Sequence, residues 1–203
     1  MELSKVTMIL RGYNVEQVRT VAEVLLHAKY VRNMEITLNT DNAYEIIQII
    51  SNEFQGKLNI GAGTVQTYDE LKKVVDAGAK FVLSPRQMSS DMLAYCKERG
   101  IVSVPGSFTP SEIGDQFAMG ADIVKVFPAN ELSLKYAKKV CEPMGDLKLM
   151  AVGGINRENV REALDSGYKY VGTAGGLFPK DQIAQMDKEK MLISLKEFEA
   201  ELD

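Results

Sequence analysis

Short runs of β-branched and apolar residues recur along the chain at steps of roughly 20 to 28 residues, and each run is short enough to be one strand. They predict strands near Val6–Leu10, Met34–Leu38, Leu58–Gly63, Phe81–Ser84, Ile101–Val104, Ile123–Phe127, Lys148–Val152 and Tyr170–Gly172. Between them, apolar residues fall three and four apart, the spacing of an amphipathic helix. The segment Val15–Leu26 is the clearest, with Val15, Val18, Val21, Ala22 and Leu25 on one face. The same spacing predicts helices over Ala43–Phe54, Tyr68–Ala77, Ser89–Glu98, Ser111–Met119, Leu132–Cys141 and Asn156–Leu164. A charged helix over Lys188–Leu202 closes the chain.

Punctuation supports this division. Asn14, Thr67 and Asn156 stand at N-cap positions, where a side-chain oxygen accepts from the free amides of the first turn. Gly56, Gly78, Gly100, Gly120 and Gly167 stand where helices should end. A repeated helix–glycine–strand join is the turn of an alternating α/β protein. About eight such units within 203 residues favour one (β/α)8 barrel over a doubly wound sheet. No linker, low-complexity stretch or internal boundary divides residues 1–203, so a single barrel domain is expected.

Composition narrows the partners. Hydrophobic residues make up 45% and charged residues 26%, enough for a core and a solvated surface. A net charge of -4 argues against nucleic acid, which wants a basic face. It leaves room for a small anion held by backbone amides or arginines. The two cysteines, Cys96 and Cys141, form no CxxC or Cys/His cluster, so neither a disulfide framework nor a metal site is expected. The start MELSKVTMIL lacks the design of a signal peptide, and no window approaches a membrane span. Those absences predict a cytoplasmic protein with no membrane partner.

The candidate chemistry lies in the strands, because barrel side chains alternate between interior and helix layer. In the sixth strand, Asp122–Pro128, two valines flank Lys125 and belong against helices, so Lys125 should point inward. A desolvated lysine has a depressed pKa, and a neutral amine can attack a ketone. A lysine at a strand end can equally snorkel to solvent or hold a structural carboxylate. In the second strand, Glu35 and Thr37 share a face opposite Met34, Ile36 and Leu38. Glu35 is thus a second interior charge, either the lysine's ion-pair partner or a general acid/base with a raised pKa. Arg11 ends the first strand and could clamp a carboxylate, or simply sit in a surface loop. Glycine-rich strand ends follow at Gly61–Thr64, Val152–Ile155 and Val171–Gly176. The last two fall where barrels often hold phosphate on backbone amides.

These residues, in this order and spacing, resemble the class I aldolases for 2-keto-3-deoxy-6-phosphogluconate (KDPG) and 4-hydroxy-2-oxoglutarate (KHG). The resemblance covers nearly the whole chain through EITLNT (Glu35–Thr40), GAGTV (Gly61–Val65), SP (Ser84–Pro85), PGSFTPSEI (Pro105–Ile113), VKVFPAN (Val124–Asn130) and GGIN (Gly153–Asn156). It implies a pyruvate-forming Schiff-base aldolase in which Lys125 is the Schiff-base lysine and Glu35 the general acid/base. It further implies that Arg11 and Thr64 lie near the pyruvate carboxylate and that Phe127 and Pro85 wall the pocket. Gly153 and Gly154, with Gly175 and Gly176 of the last loop, would hold a distal phosphate. The family implies a homotrimer acting on a small keto acid with no metal and no other cofactor.

Three departures bear on the substrate. Asn39 stands where many members carry an arginine, and Arg86 is a candidate to replace that charge. Val152 and Gly175 stand where a threonine and a serine are usual. Two hydroxyl donors are therefore missing, each worth roughly 1.5–3 kcal/mol to a charged acceptor. They leave open KDPG, KHG, another 2-keto-3-deoxy sugar acid such as 6-phosphogalactonate, or a non-catalytic phosphate-binding barrel. Other features read as structural: His27 as a solvated or capping residue, and Lys135, Lys138 and Lys139 as a solvated helix face. Tyr168 and Tyr170 are candidates for a contact with a neighbouring subunit.

Overall fold

The computed structural model describes residues 2–203. Nine parallel strands form one sheet: β1 (Val6–Leu10), β2 (Asn33–Thr37), β3 (Asn59–Gly63), β4 (Phe81–Leu83), β5 (Val102–Val104), β6 (Gly106–Ser107), β7 (Val124–Val126), β8 (Leu149–Val152) and β9 (Tyr170–Thr173). They are ordered β5-β4-β3-β2-β1-β9-β8-β7-β6. The two ends of that order are neighbours in sequence, separated only by Pro105. β5 pairs with β4 and β6 pairs with β7, so one interrupted strand closes the sheet into the expected α/β barrel.

The interruption has a local cause. Proline cannot donate to a ladder, but its carbonyl still accepts, here from Lys125 N at 2.9 Å. Gly106 follows because a Cβ there would lie 2.7 Å from the backbone carbonyl of Pro85. The fifth barrel strand therefore changes partner at a point where two backbones nearly touch.

Around the strands lie α1 (Val15–Leu25), α2 (Ala43–Glu53), α3 (Tyr68–Asp76), α4 (Ser90–Arg99), α5 (Pro110–Ala118), α6 (Tyr136–Met144), α7 (Val160–Asp165), α8 (Lys180–Ala184) and α9 (Lys188–Ala200). Asn14, Thr67 and Thr109 close capping boxes with Gln17, Glu70 and Glu112. The five helix-ending glycines all take positive φ, from 65° at Gly100 to 104° at Gly167.

Three expectations need correction. The helix predicted from Leu132 begins only at Tyr136, because a 3-10 turn over Ala129–Glu131 takes the chain away from β7 first. The helix predicted from Asn156 begins at Val160, and Asn156 instead caps a turn, accepting from Glu158 N at 3.0 Å. Tyr168 and Tyr170 are only 2% and 9% exposed and pack within their own chain, so neither is free for a subunit contact.

Two apolar layers result from strand alternation. Val6, Met8, Ile36, Val124, Val126 and Val171 pack outward under the helices. Phe81, Leu83, Val104, Ile123, Met150 and Val152 fill the barrel. Each fully buried side chain of this kind stabilises the fold by about 1.5–3 kcal/mol. At the N-terminal end of the strands the interior turns polar, where Asn33 bonds to Ser4, Thr7 and Asn59.

Candidate active site

β7 puts its lysine inside the barrel. Val124 and Val126 belong to the outer apolar layer, while Ile123 and Phe127 pack with the interior cluster. Lys125 shares their face and is 6% exposed. Its Nζ lies 4.9 Å from the centre of the Phe127 ring. Burial pushes the ammonium pKa down and the Arg11 charge pushes it the same way, while Glu35 pulls it up. The net direction is down, toward the neutral amine.

β2 supplies the carboxylate. Glu35 is 3% exposed and pairs in register with Ile9 on one side and Gly61 on the other. Burial raises its pKa to about 7, against the opposing pull of Lys125 and Arg11. Its Oε2 is buried with no hydrogen-bond partner among the described residues, an arrangement that leaves an acceptor available inside the site. Lys125, Glu35 and Arg11 thus form one electrostatic group, each of the buried pair responding to the other and to the arginine.

The remaining predicted residues surround that group unevenly. Arg11 is exposed, directly after the last residue of β1. Thr64, just past β3, has φ 60°, an uncommon conformation for a β-branched residue. Pro85 is half-buried at the end of β4, and Arg86 beyond it is exposed.

A cavity of about 830 Å³ opens at the C-terminal ends of β1, β7, β8 and β9. Arg11, Phe127, Gly153, Gly154, Gly175 and Gly176 line it. Lys125, Glu35, Thr64, Pro85 and Arg86 do not. Phe127 joins the two regions, lining the cavity while its ring lies against Lys125 Nζ. The cavity therefore lies beside the buried pair, with Phe127 between them. Arg86 is the one proposed charge that neither lines it nor perturbs the buried pair.

At the distal end, Gly153 and Gly154 have φ 110° and 70°. A Cβ on Gly153 would approach Asn130 Oδ1 to 2.8 Å, and one on Gly154 would approach Asn130 Cβ to 2.7 Å. A Cβ on Gly176 would strike the Ile155 carbonyl. Their amides make no backbone hydrogen bond among the described residues, which leaves a row of donors for an anion. Gly172 makes room deeper in, since its Cβ would lie 2.9 Å from Val152 and 3.0 Å from Ile9.

Several lining residues were not anticipated from the sequence. Tyr13 follows Arg11 in the same loop, and Arg157 follows the GGIN stretch. Lys180 comes from α8, which was not predicted. Arg157 is ion-paired with Glu197 of α9, so the last helix helps rim the cavity. Among the described residues, no group of three or more His, Cys, Asp or Glu side chains is placed to hold a metal ion.

An α/β barrel with an inward lysine and carboxylate near the C-terminal ends of its strands, opening on an amide-rimmed cavity, has the layout of a barrel enzyme for small molecules. The chain belongs to the KDPG and KHG aldolase family, whose model matches residues 1–193, and it is an aldolase. A Pseudoalteromonas atlantica protein named 2-dehydro-3-deoxy-phosphogluconate aldolase is 34% identical over 164 residues, covering 79% of this chain and 74% of its own. A Rhizobium meliloti protein named probable 2-dehydro-3-deoxy-6-phosphogalactonate aldolase is 28% identical over 193 residues, covering 95% and 90%. Among solved structures, KDPG aldolase from Legionella pneumophila, with pyruvate captured as a covalent carbinolamine, superposes with TM-score 0.84 at 28% identity, covering 97% of this chain and 93% of that one.

Proposed function

We propose that this aldolase cleaves a 2-keto-4-hydroxy acid to pyruvate and an aldehyde through a Schiff base on Lys125. The observation that carries this reading is the inward, desolvated Lys125 facing the same interior as a buried carboxylate. The amine adds to the C2 ketone, protonated Glu35 gives its proton through a water to the departing hydroxyl, and water leaves, giving an iminium that draws electrons from C3. Glu35, through a water, takes the C4 hydroxyl proton, and the C3–C4 bond breaks to aldehyde and enamine. Protonation of the enamine and hydrolysis release pyruvate and the free lysine. In this scheme Arg11 and Thr64 hold the pyruvate carboxylate, and Phe127 and Pro85 shape the pocket around the ketone.

The substrates proposed first are KDPG, giving glyceraldehyde 3-phosphate, and KHG, giving glyoxylate. The free amides of Gly153, Gly154, Gly175 and Gly176 support a distal phosphate. A second reading, cleavage of 2-keto-3-deoxy-6-phosphogalactonate, rests on the name of the Rhizobium meliloti relative. Val152 and Gly175 fit either, since both remove a hydroxyl from the distal end. Arg86 neither lines the cavity nor perturbs the buried pair, so its part as a substitute charge has no structural support, and unchanged KM in Arg86→Ala would remove it. A homotrimer belongs to this proposal on family resemblance alone.

The test is pyruvate release from each candidate separately. The highest kcat/KM names the substrate. Release from none of the three would sink this assignment.

A further inference from the structure

β3 turns two glycines into the barrel interior, and neither is required by its backbone angles. Gly61 and Gly63 are absent from the residues with positive φ, so an alanine could adopt either conformation. What each provides is space. Beside Gly61 the space is taken by the ring of Phe81, which a Cβ would approach to 2.5 Å. Beside Gly63 it is taken by Glu35: a Cβ there would fall on Oε1 and within 2.8 Å of Cγ.

The register explains how Glu35 reaches that place. Glu35 pairs with Gly61, and Thr37 pairs with Gly63. The Glu35 side chain therefore leans one pair toward the C-terminal ends of the strands, where its carboxylate rests on bare backbone. Oε2 has no hydrogen-bond partner among the described residues, so none of their donors fixes its aim. Shape does that work.

We propose that Gly63 is a positioning residue: its missing side chain sets where the Glu35 carboxylate sits relative to Lys125. This rests on the roles given to Lys125 and Glu35 above. The turn after β3 does not need the glycine, because the residue in the left-handed region there is Thr64.

Deuterium exchange at the pyruvate methyl group reads this placement without any aldehyde partner. Lys125 Nζ bonds to C2 and water leaves, forming the iminium. A C3 proton passes to the Glu35 carboxylate, the C–H electron pair forms the enamine, and a deuteron from D2O returns by the reverse step. Gly63→Ala is expected to keep its borohydride-trapped pyruvate adduct, since trapping needs the iminium to form but no proton removal from C3. Its exchange rate should fall about 100-fold, the scale of a misplaced reacting group, with little change in half-saturating pyruvate. The double variant Gly63→Ala/Glu35→Asp should exchange faster than Gly63→Ala alone, because a side chain one methylene shorter fits beside the new Cβ.

Wild-type exchange in Gly63→Ala, or a double variant no faster than the single one, overturns the proposal. Should Gly63→Ala fail to fold, the melting temperature of the double variant is read instead: recovery supports the proposal and none overturns it. Absence of a trapped adduct in the wild-type protein overturns the role of Lys125 first, and this inference falls with it.

Discussion

Glu35 holds its proton to a pH far above the usual carboxylate range, because burial penalises the anion more than Lys125 and Arg11 favour it. Its folded pKa of about 7 exceeds the reference value of 4.5, so between those values the folded chain keeps a proton that the unfolded chain has lost. Stability therefore falls as pH rises from 4.5 toward 7, and the loss is complete above the folded value. Glu35→Gln keeps the shape without the charge. It should unfold at higher urea than the wild type at pH 8, by on the order of 2–3 kcal/mol, with the difference vanishing near pH 4. The same change should cut kcat about 100-fold or more, because it removes the group proposed as the proton acceptor. Thr64 offers a parallel case, since its φ of 60° strains a β-branched residue. Thr64→Gly should raise stability by about 1 kcal/mol in urea while weakening the half-saturation for pyruvate. Alternation alone exposed Lys125 and Glu35 in the sequence, because each interior charge sits between outward-facing apolar neighbours. The space beside Gly63 was not legible. Which side chain fills a glycine's gap depends on lean across strands, and no local pattern records that.

At the scale of elements, glycines differ by what stands opposite them. A Cβ on Gly63 would meet the end of a side chain, whereas one on Gly106 would meet the backbone of Pro85. Gly106→Ala should therefore lower stability by about 2–3 kcal/mol in urea unfolding, because backbone there cannot swing aside. The capping box of α1 is worth less: Asn14→Ala should lower stability by about 1 kcal/mol in the same measurement. Strand positions were readable to within about a residue at most ends, since barrel strands are short apolar runs between helices. The partner switch at Pro105 was not readable, because it depends on which strands flank the fifth one. α6 and α7 start later than their apolar spacing suggests, as Leu132 and Leu134 pack on the core without being helical and residues 157–159 form a turn. α8 is five residues long, too short to show a helical period.

Across the whole molecule, the buried Lys125–Glu35 pair and the glycine-lined cavity occupy different parts of the barrel. The covalent chemistry proposed for Lys125 and Glu35 would lie deep, at the level of β2 and β7, where burial shifts both charges toward neutrality. Recognition of the distal group is proposed for the cavity, where glycine amides and the Arg157–Glu197 pair form the rim. The closed barrel was legible from the count and spacing of strands, and the cavity only in part, because α8 and α9 contribute to it from the far end of the sequence. The proposed division of labour has a direct test in borohydride trapping with pyruvate, followed by intact mass and peptide mapping. The predicted result is one stable pyruvate adduct, on Lys125, in the wild-type protein and none in Lys125→Ala. A folded wild-type protein that traps no adduct at saturating pyruvate, or traps it on another lysine, would contradict the central claim.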